Sequence, residues 1–354
     1  NIVPITTSIG SDGKLSIGGC SIEELVKKYD SPLYILDEIT LRNSCRAYKK
    51  ALEKHYPGKS LPIYASKANS SIFMSNLVYS EGLGLDAVSE GELITALKGG
   101  VPNEKIVFHG NNKSDKEIEF AVRNNIKVIV DNDYDLERLE ELSNLLNHDL
   151  EIMIRFTPGI ECHTHEYIRT GSFDSKFGFG IEYLNSLFKR ISKTKHLKLE
   201  GIHAHIGSQI FELEPHKDLG EIMVNVILDA KKFGHDIQKL NVGGGLGIKY
   251  TENDDPPSID EWVKTISKAV VKACKKHNLD LPTLMCEPGR SIVSTAGITI
   301  YKLGAFKEIP GIRTYLSVDG GMSDNPRPIT YQSNYSACLV SNPFNINSKN
   351  KYTI

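Results

Sequence analysis

Short apolar and β-branched runs alternate with longer amphipathic segments through the middle of the chain. Eight of these runs have the length and composition of β-strands, at residues 62–66, 84–88, 105–109, 127–131, 151–156, 201–206, 239–242 and 283–286. The segments between them, for example 89–98 and 114–124, have Glu, Lys, Ala and Leu at helical spacing. Eight strands that alternate with helices over about 250 residues predict an α/β fold of the (β/α)8 TIM-barrel type.

The two ends of the chain have a different pattern, in which short strand-like runs are separated by turn residues. These runs lie at 15–17, 32–36, 298–303, 314–318, 337–340 and 352–354. An amphipathic segment at 41–55 joins the second run to the barrel, and the polar stretch 342–351 is typical of a loop. We therefore expect a barrel domain over residues 37–292 and a β-rich domain formed by residues 1–36 and 293–354 together.

A doubly wound parallel sheet is the structural alternative, because the glycine-rich run 243–247 resembles a dinucleotide-binding loop. Its spacing is not G-x-G-x-x-G, and no acidic residue follows a next strand at the expected distance. The barrel is therefore the preferred prediction.

Composition excludes several classes of partner. The 354 residues are 40% hydrophobic and 24% charged, as in soluble globular proteins. A formal net charge of −2 gives no electrostatic reason to expect a nucleic acid or an anionic membrane as partner. The chain shows neither an apolar run near the roughly 20 residues of a membrane span nor a signal peptide at its start. Its six scattered cysteines contain no C-x-x-C pair, which favours reduced thiols, a cytoplasmic location and no zinc site.

Polar residues follow the predicted strands, at the ends where (β/α)8 enzymes build their active sites. We therefore expect these side chains and backbone groups to converge. They are Lys67, Asp86, His109, Asp131, Arg155, His205, Ser208, Gly243, Gly244, Gly245 and Glu287.

Three features of this set point to a phosphorylated aldehyde cofactor. Lys67 ends a buried apolar run, where an amine is costly unless it is neutral, paired or covalently used; a solvated strand cap is the alternative. The glycines at 243–245 offer bare amides to a phosphate, or form an ordinary turn. Glu287 would keep a ring nitrogen protonated, or would only form a local salt bridge with Arg290. An amine, a phosphate nest and a carboxylate together predict pyridoxal 5'-phosphate.

Two histidine pairs leave alternatives open. His203 and His205 face the same side of a strand, a spacing that also suits a metal ion. Because no third ligand pattern stands out nearby, we prefer one of the two stacking on a flat cofactor ring. His163 and His165 lie in a polar segment that could be a metal pair, a lid or a surface loop, and the loop is the preferred interpretation.

Six motifs together resemble one known family, although each is weak alone. They are Tyr64-Ala-Ser-Lys67-Ala-Asn, Asp86-Ala-Val-Ser-Glu-Gly-Glu92, His203-Ala-His-Ile-Gly-Ser-Gln209, Asn241-Val-Gly-Gly-Gly-Leu-Gly247, Glu287-Pro-Gly-Arg290 and Arg327-Pro-x-x-Tyr331. From about residue 32 to residue 331 the chain is similar to the diaminopimelate decarboxylases, in the alanine-racemase-like (fold III) group of pyridoxal-phosphate enzymes.

The resemblance implies a reaction and a role for each matching residue. The family decarboxylates the D-centre of meso-2,6-diaminopimelate to give L-lysine, in homodimers whose active sites use residues of both subunits. Lys67 would bind the cofactor aldehyde covalently and His205 would stack on the ring, so that these two and Glu287 are the implied catalytic residues. Cofactor contacts are further implied for Asp86, Arg155, Ser208, Gly243, Gly244, Gly245, Pro288, Gly289 and Arg290, and substrate contacts for Arg290, Arg327 and Tyr331.

One motif of the family has no match in this sequence. The family carries a Cys-Glu-Ser-Gly-Asp segment in its C-terminal β domain, whose cysteine protonates the product in the partner's site. Cys338 is followed by Leu-Val-Ser and is not assigned that role. The sequence ends at Ile354 before such a segment and does not begin with Met, so we expect a fragment whose β domain is incomplete at the C-terminus.

Other functions on the same fold stay as alternatives. Arg327 and Tyr331 could grip a second substrate carboxylate or belong to a surface turn, and ornithine-type decarboxylases would lack the pair. An amino-acid racemase would be expected to place a weaker partner than Glu287 on the ring nitrogen. A decarboxylase of ornithine or arginine, a racemase and a non-catalytic PLP-binding protein are the alternative predictions.

Overall fold

The computed structural model describes residues 2–160, 175–343 and 352–354. Within these ranges the chain forms β-strands and α-helices, numbered here in chain order. The strands are β1 (Ser8–Ile9), β2 (Leu15–Ile17), β3 (Cys20–Ser21), β4 (Leu33–Leu36), β5 (Ser60–Ala65), β6 (Gly84–Ala87), β7 (Ile106–Phe108), β8 (Lys127–Val130), β9 (Leu150–Thr157), β10 (Phe179–Gly180), β11 (Leu197–His203), β12 (Lys239–Asn241), β13 (Thr283–Cys286), β14 (Gly297–Ile300), β15 (Leu303–Ile309), β16 (Arg313–Val318) and β17 (Tyr352–Thr353). The helices are α1 (Ile22–Tyr29), α2 (Glu38–His55), α3 (Ile72–Ser80), α4 (Glu90–Lys98), α5 (Asp115–Arg123), α6 (Asp133–Leu146), α7 (Leu184–Ile191), α8 (Glu214–Lys232), α9 (Ile259–Lys276), α10 (Arg290–Val293) and α11 (Arg327–Thr330).

Contacts between residues divide the chain into two compact units. The barrel unit consists of Ser44–Gly247 and Pro256–Ser291. The β unit consists of Asn1–Asn43, Ile248–Asp255 and Ile292–Ile354. The segment Ile248–Asp255 therefore belongs to the β unit, although it lies inside the range 37–292 that the sequence suggests for the barrel.

The barrel unit contains a closed sheet of eight parallel strands. Their order is β5, β6, β7, β8, β9, β11, β12 and β13, and β13 pairs with β5 to close the ring. The two-residue strand β10 adds to the end of β9. The predicted (β/α)8 barrel is confirmed, and all eight predicted strands are present. Their predicted bounds differ most at β11, which begins at Leu197 instead of residue 201.

The inside of the barrel is filled by apolar side chains from different strands. Ile63, Val107, Ile129, Met153 and Met285 form a buried cluster with one residue each from β5, β7, β8, β9 and β13. This is the layered filling of a barrel core, so the polar chemistry is confined to the strand ends.

Several helices around the barrel begin where a short polar side chain caps them. Ser114 accepts a hydrogen bond from the backbone of Glu117, and the Glu117 side chain accepts from Ser114 in return, a capping box. Ser89 caps α4 in the same position, by accepting from the backbone of Glu92. The two helical segments predicted at 89–98 and 114–124 are thus confirmed, with their first serines as caps.

Three small sheets lie within the described residues of the β unit. β1, β2 and β3 form an antiparallel sheet, β4 pairs with β14, and β16 lies between β15 and β17. The strand predicted at 298–303 is wrong in extent, because β14 ends at Ile300 and a separate strand, β15, begins at Leu303. The strand predicted at 337–340 is also wrong, since a tight turn pairs Leu339 with Asn342 and prevents an extended ladder.

None of the helices in the described ranges has both the length and the apolar character that crossing a membrane requires.

Candidate active site

The C-terminal ends of the barrel strands bring several predicted site residues together. Lys67 lies in a single 3-10 turn, Ser66–Ala68, directly after β5, and its side chain is exposed. Asp86 lies on β6, where the register pairs it with Ala65 next to that turn. Arg155 on β9 pairs with His203, the last residue of β11. Glu287 follows β13 directly, so all four side chains are carried at the same end of the barrel.

Glu287 is a buried carboxylate held by three donors. His109 Nε2 donates to its Oε1 at 2.8 Å, and Asn241 Nδ2 donates to the same oxygen at 2.7 Å. His203 Nε2 donates to Oε2 at 2.9 Å. Burial by itself would raise the pKa of Glu287, but the charge and hydrogen bonds of His109 and His203 hold that pKa well below its usual range. Glu287 is therefore an ionised carboxylate in an enclosed position.

The two histidines that hold Glu287 differ in how readily they are protonated. Their rings lie 4.6 Å apart between centroids, at an angle of 66°. Burial would lower the pKa of His109, but the carboxylates of Glu287 and Asp86 outweigh burial and raise it. For His203, burial is the largest cause and lowers the pKa to about 4. Near neutral pH, His109 is thus the more readily protonated ring, and His203 is a neutral donor.

Asp86 is a second buried carboxylate that interacts with the charge of His109. Its burial raises its pKa to about 6, against the lowering effect of the His109 charge. The charge of Lys67 also lowers the pKa of Asp86, and it lowers that of His205. These mutual effects show that Lys67, Asp86, His109 and Glu287 form one electrostatic group.

The hydrogen bonds of Glu287 leave room for one more donor. A carboxylate offers about four lone-pair positions, two on each oxygen. Among the described residues, His109 and Asn241 fill both positions on Oε1, and His203 fills one on Oε2. A single acceptor position therefore remains on Oε2. One protonated ring nitrogen, as in the pyridine ring of pyridoxal phosphate, matches that acceptor position in number and in charge.

The glycine run after β12 packs closely against neighbouring backbone. A Cβ atom at Gly244 would lie 2.3 Å from the carbonyl oxygen of Glu287, so only glycine fits there. Gly243 has a φ of 65°, a backbone conformation that favours glycine. This close approach places the run against the backbone of Glu287.

The amides of the glycine run are less available than the sequence suggests. Gly243 N–H donates to Asn241 Oδ1 at 3.0 Å, and Gly244 N–H donates to His205 Nδ1 at 3.3 Å. Of the three amides, that of Gly245 has no acceptor within the described part of the chain. Two of the three amides already donate to Asn241 and His205, so the prediction that all three are free to bind a phosphate is too broad.

His205 is fixed by its contact with this run. Its Nδ1 accepts from Gly244, so the ring proton lies on Nε2. Burial, followed by the charges of Lys67 and Arg155, lowers the pKa of His205 well below its usual value. A neutral, oriented imidazole suits stacking on a flat ring better than it suits acid catalysis.

Arginines frame the rest of the site. Arg290 donates through Nε and Nη2 to Ser208 Oγ, at 3.2 and 3.0 Å. Arg155 is buried, with Nη1 3.7 Å from Asp131 Oδ1 and its guanidinium 4.4 Å from the centre of the Phe177 ring. These two cations give the strand ends the positive charge that a phosphate requires.

The residues after Glu287 pack against the turn that carries Lys67. The carbonyl of Pro288 accepts a hydrogen bond from Ala65 N at 3.1 Å. A Cβ atom at Gly289 would lie 3.1 Å from the Ala65 side chain. Pro288 and Gly289 therefore act through backbone position, because they hold the end of β13 against the end of β5.

Arg327 and Tyr331 lie in the β unit, in and directly after α11. The guanidinium of Arg327 lies 5.1 Å from the ring centre of Tyr331 and 5.6 Å from that of Tyr250. Its Nε is buried and has no hydrogen-bond partner among the described residues. A guanidinium held between two phenol rings with an unused donor is suited to binding an anion.

Sequence reasoning missed the partners of Glu287. The sequence indicates His109 only as a polar residue at a strand end, and Asn241 only as part of the glycine motif. The ligand atoms of His109, His203 and Glu287 lie within 4.8 Å of one another, a spacing open to a metal ion as well. Direct hydrogen bonds at 2.8 and 2.9 Å already account for this spacing, and we interpret the group as a hydrogen-bond network. The pair His163 and His165 lies outside the described residues.

Comparisons with known proteins agree on one family. Residues 39–294 match the pyridoxal binding domain of the pyridoxal-dependent decarboxylases. A diaminopimelate decarboxylase of Synechocystis sp. is 51% identical over 349 residues, covering 96% of this chain and 74% of the relative. That of Bacillus subtilis is 42% identical over 340 residues, with coverage of 95% and 77%. The crystal structure of diaminopimelate decarboxylase from M. jannaschii in complex with L-lysine aligns with a TM-score of 0.85 at 31% identity, covering 94% of this chain and 77% of that one.

Proposed function

The chain belongs to the diaminopimelate decarboxylase family of pyridoxal-dependent decarboxylases, and on that premise we propose how its residues perform the reaction. The protein is a carboxy-lyase with pyridoxal 5'-phosphate as its cofactor. It converts meso-2,6-diaminopimelate to L-lysine and CO2, the last step of lysine biosynthesis. The observation that supports this reaction most directly is the ionised, buried Glu287 carboxylate with one acceptor position left on Oε2.

The cofactor determines what the protein must provide. Bound pyridoxal phosphate supplies an electron sink for the electron pair that remains on Cα when CO2 leaves. Glu287 holds a proton on the ring nitrogen through its negative charge, and a protonated ring is the stronger sink. Lys67 provides the amine for covalent attachment to the aldehyde, since it lies at the same end of the barrel as Glu287.

The remaining site residues position and enclose the cofactor. His205 covers one face of the ring as a neutral imidazole oriented by Gly244. Asp86 and Arg155 balance the charges of Lys67 and Glu287. The Gly245 amide, Ser208 and Arg290 would hold the phosphate, while Gly243, Gly244, Pro288 and Gly289 shape the backbone around that position.

Substrate recognition is assigned to Arg290, Arg327 and Tyr331. Diaminopimelate differs from lysine by one carboxylate, and the planar fork of a guanidinium is the natural partner for that group. Among the described residues, the buried Nε of Arg327 has no hydrogen-bond partner, and this unused donor supports the role.

Two finer points are part of the proposal. We expect a homodimer with shared active sites, an assembly consistent with the exposed apolar side chains of Ile72 and Phe73 on α3. We also expect a cytoplasmic location. Five cysteines in the described ranges are free thiols, as a reducing compartment would require: Cys20, Cys45, Cys274, Cys286 and Cys338.

Covalent attachment of the cofactor at Lys67 tests the proposal. Borohydride reduction of the loaded protein should trap the cofactor on the peptide that contains Lys67, and K67A should lose both the adduct and lysine production from diaminopimelate. K98A is the matched control, because Lys98 is an exposed lysine at the end of α4. A trapped adduct on another lysine, or turnover of ornithine or arginine in preference to diaminopimelate, would contradict the proposal.

A further inference from the structure

His109 connects the two buried carboxylates of the site. Its Nε2 donates to Glu287 at 2.8 Å, and its own backbone N–H donates to Ala87 O at 2.8 Å, which fixes the residue beside the end of β6. The ring is almost fully buried, with 5% of the residue exposed. A buried imidazole in this position has little water to stabilise its charge, so its neighbours decide whether it is protonated.

The groups that face His109 come from four strands. Glu287 follows β13 and Asp86 lies on β6, and both carboxylates favour the protonated ring. Arg155 on β9 opposes protonation through its own charge, and the His203 ring from β11 lies 4.6 Å away. His203 itself is held neutral by burial. Two carboxylates favour the protonated ring and one guanidinium opposes it, so His109 is the more readily protonated histidine of the Glu287 network.

We propose that His109 is a positioning residue of the decarboxylase, which keeps Glu287 ionised and turned so that its remaining Oε2 position meets the cofactor's ring nitrogen. This inference rests on the proposed function, because it assumes that the ring nitrogen binds at Glu287. It assigns unequal roles to the two histidines: His109 contributes charge and orientation, and His203 contributes orientation alone.

The proton balance shows why the charge of His109 matters. Without a cation beside it, a buried carboxylate is costly and tends to become protonated. The nearest proton is then the one on the ring nitrogen, which would pass to Glu287 Oε2 and leave a neutral ring and a neutral carboxyl group. No other bond changes in this transfer. A neutral ring is the weaker electron sink, so a structural change at His109 becomes an electronic change at the cofactor.

The test measures the ring nitrogen directly and requires no turnover. The protein is loaded with pyridoxal phosphate that carries 15N in the ring, and the 15N chemical shift is followed against pH. In the wild-type protein the nitrogen should stay protonated across the neutral range. H109L and H109Q should both move the 15N signal towards that of a neutral ring at every pH of the neutral range, because the transfer to Glu287 neither binds nor releases a proton.

The choice of variants separates charge from hydrogen bonding. Gln places an amide donor near the position of Nε2 without a positive charge, whereas Leu removes both. H203Q is the matched control, because a neutral donor is replaced by another neutral donor, and its titration should stay close to wild type. If H109L does not fold, as judged by circular dichroism, H109Q carries the comparison.

The outcomes distinguish this inference from the proposed function. E287Q should abolish the protonated signal, and an unchanged signal in E287Q would overturn the proposed role of Glu287 itself. A large change in E287Q together with wild-type titrations in H109L and H109Q would overturn only the role of His109. Equal effects of H109Q and H203Q would also overturn it, since the charge of His109 would then contribute nothing of its own.

Discussion

Three neighbouring hydrogen-bond donors keep the Glu287 carboxylate ionised and fix its orientation. The carboxylate accepts hydrogen bonds of 2.7 to 2.9 Å from His109, directly after β7, from His203 on β11 and from Asn241 on β12. Charged hydrogen bonds of this kind are about twice as strong as neutral ones. The carboxylate is therefore held in one orientation before any ligand arrives, which is the preorganisation that electrostatic catalysis depends on.

Arg327 offers a test of substrate recognition. R327A removes the only side chain in that turn able to form two parallel bonds with a carboxylate, so KM for diaminopimelate should rise on the order of 10- to 100-fold. The affinity for pyridoxal phosphate should change little. Steady-state kinetics and a cofactor titration measure the two quantities separately.

Arg313 provides the control for that substitution. Its guanidinium also lies over a tyrosine, 5.8 Å from the ring centre of Tyr315, but it is exposed and belongs to no predicted site. R313A should leave KM unchanged. If R327A and R313A behave alike, Arg327 has no part in binding the substrate.

The loop after β7 is held by an unusual buried ion pair. Lys113 donates to Gly110 O at 2.6 Å, to Ile129 O at 2.8 Å and to Asp135 Oδ2 at 2.6 Å, so all three of its protons are used. Burial lowers the pKa of Lys113 against the opposing charge of Asp135. The lysine thereby joins the loop that follows His109 to the end of β8 and the start of α6.

Breaking this pair on one side should be strongly destabilising. K113M leaves Asp135 as a buried charge without its cation, a change that typically costs about 3–5 kcal/mol. The thermal midpoint should fall by on the order of 10 °C. K116M, in the exposed first turn of α5, should leave the midpoint nearly unchanged. Equal midpoints for the wild-type protein and K113M would show that the pair contributes no net stability.

Elements were easier to predict from the sequence than the contacts between them. The eight barrel strands follow from short apolar runs, and Ser89 and Ser114 mark helix starts through their capping preference. Lys113 precedes a cap in a polar stretch and gives no sign of burial. The pairing of His109 with Glu287 spans 178 residues and depends on the closed register of the barrel. No local pattern encodes such a contact.

His216 should contribute to the acid sensitivity of the whole molecule. His216 on α8 is fully buried against Trp262, and neither ring nitrogen has a hydrogen-bond partner in the described chain. Burial alone lowers its pKa to about 3. In the unfolded chain the ring titrates near 6.5. Its neutral form therefore supports the fold above pH 6.5, and that support is lost as the pH falls towards 3.

H216F should reduce the loss of stability in mild acid. Between pH 7 and pH 5 the wild-type protein should lose roughly 2 kcal/mol through His216, because the unfolded state gains a proton that the folded state does not bind. Urea unfolding of the apoprotein at the two pH values measures this difference. H148F is the control at an exposed histidine, and its loss should match that of the wild-type protein. The same loss in H216F would place the acid sensitivity elsewhere.

Closure of the barrel between β13 and β5 has a consequence for the timing of biosynthesis. Lys67 leaves the ribosome early, whereas Glu287 and its neighbour Arg290 come more than two hundred residues later in the sequence. At 5–20 residues per second, that interval is roughly 10 to 50 s. Until Glu287 is made, His109 and His203 lack the carboxylate that they hold in the folded barrel, and the ring nitrogen has no anchor. Cofactor capture is therefore an event of the finished barrel, and a nascent chain interrupted before residue 287 would carry the reactive lysine without the means to use it.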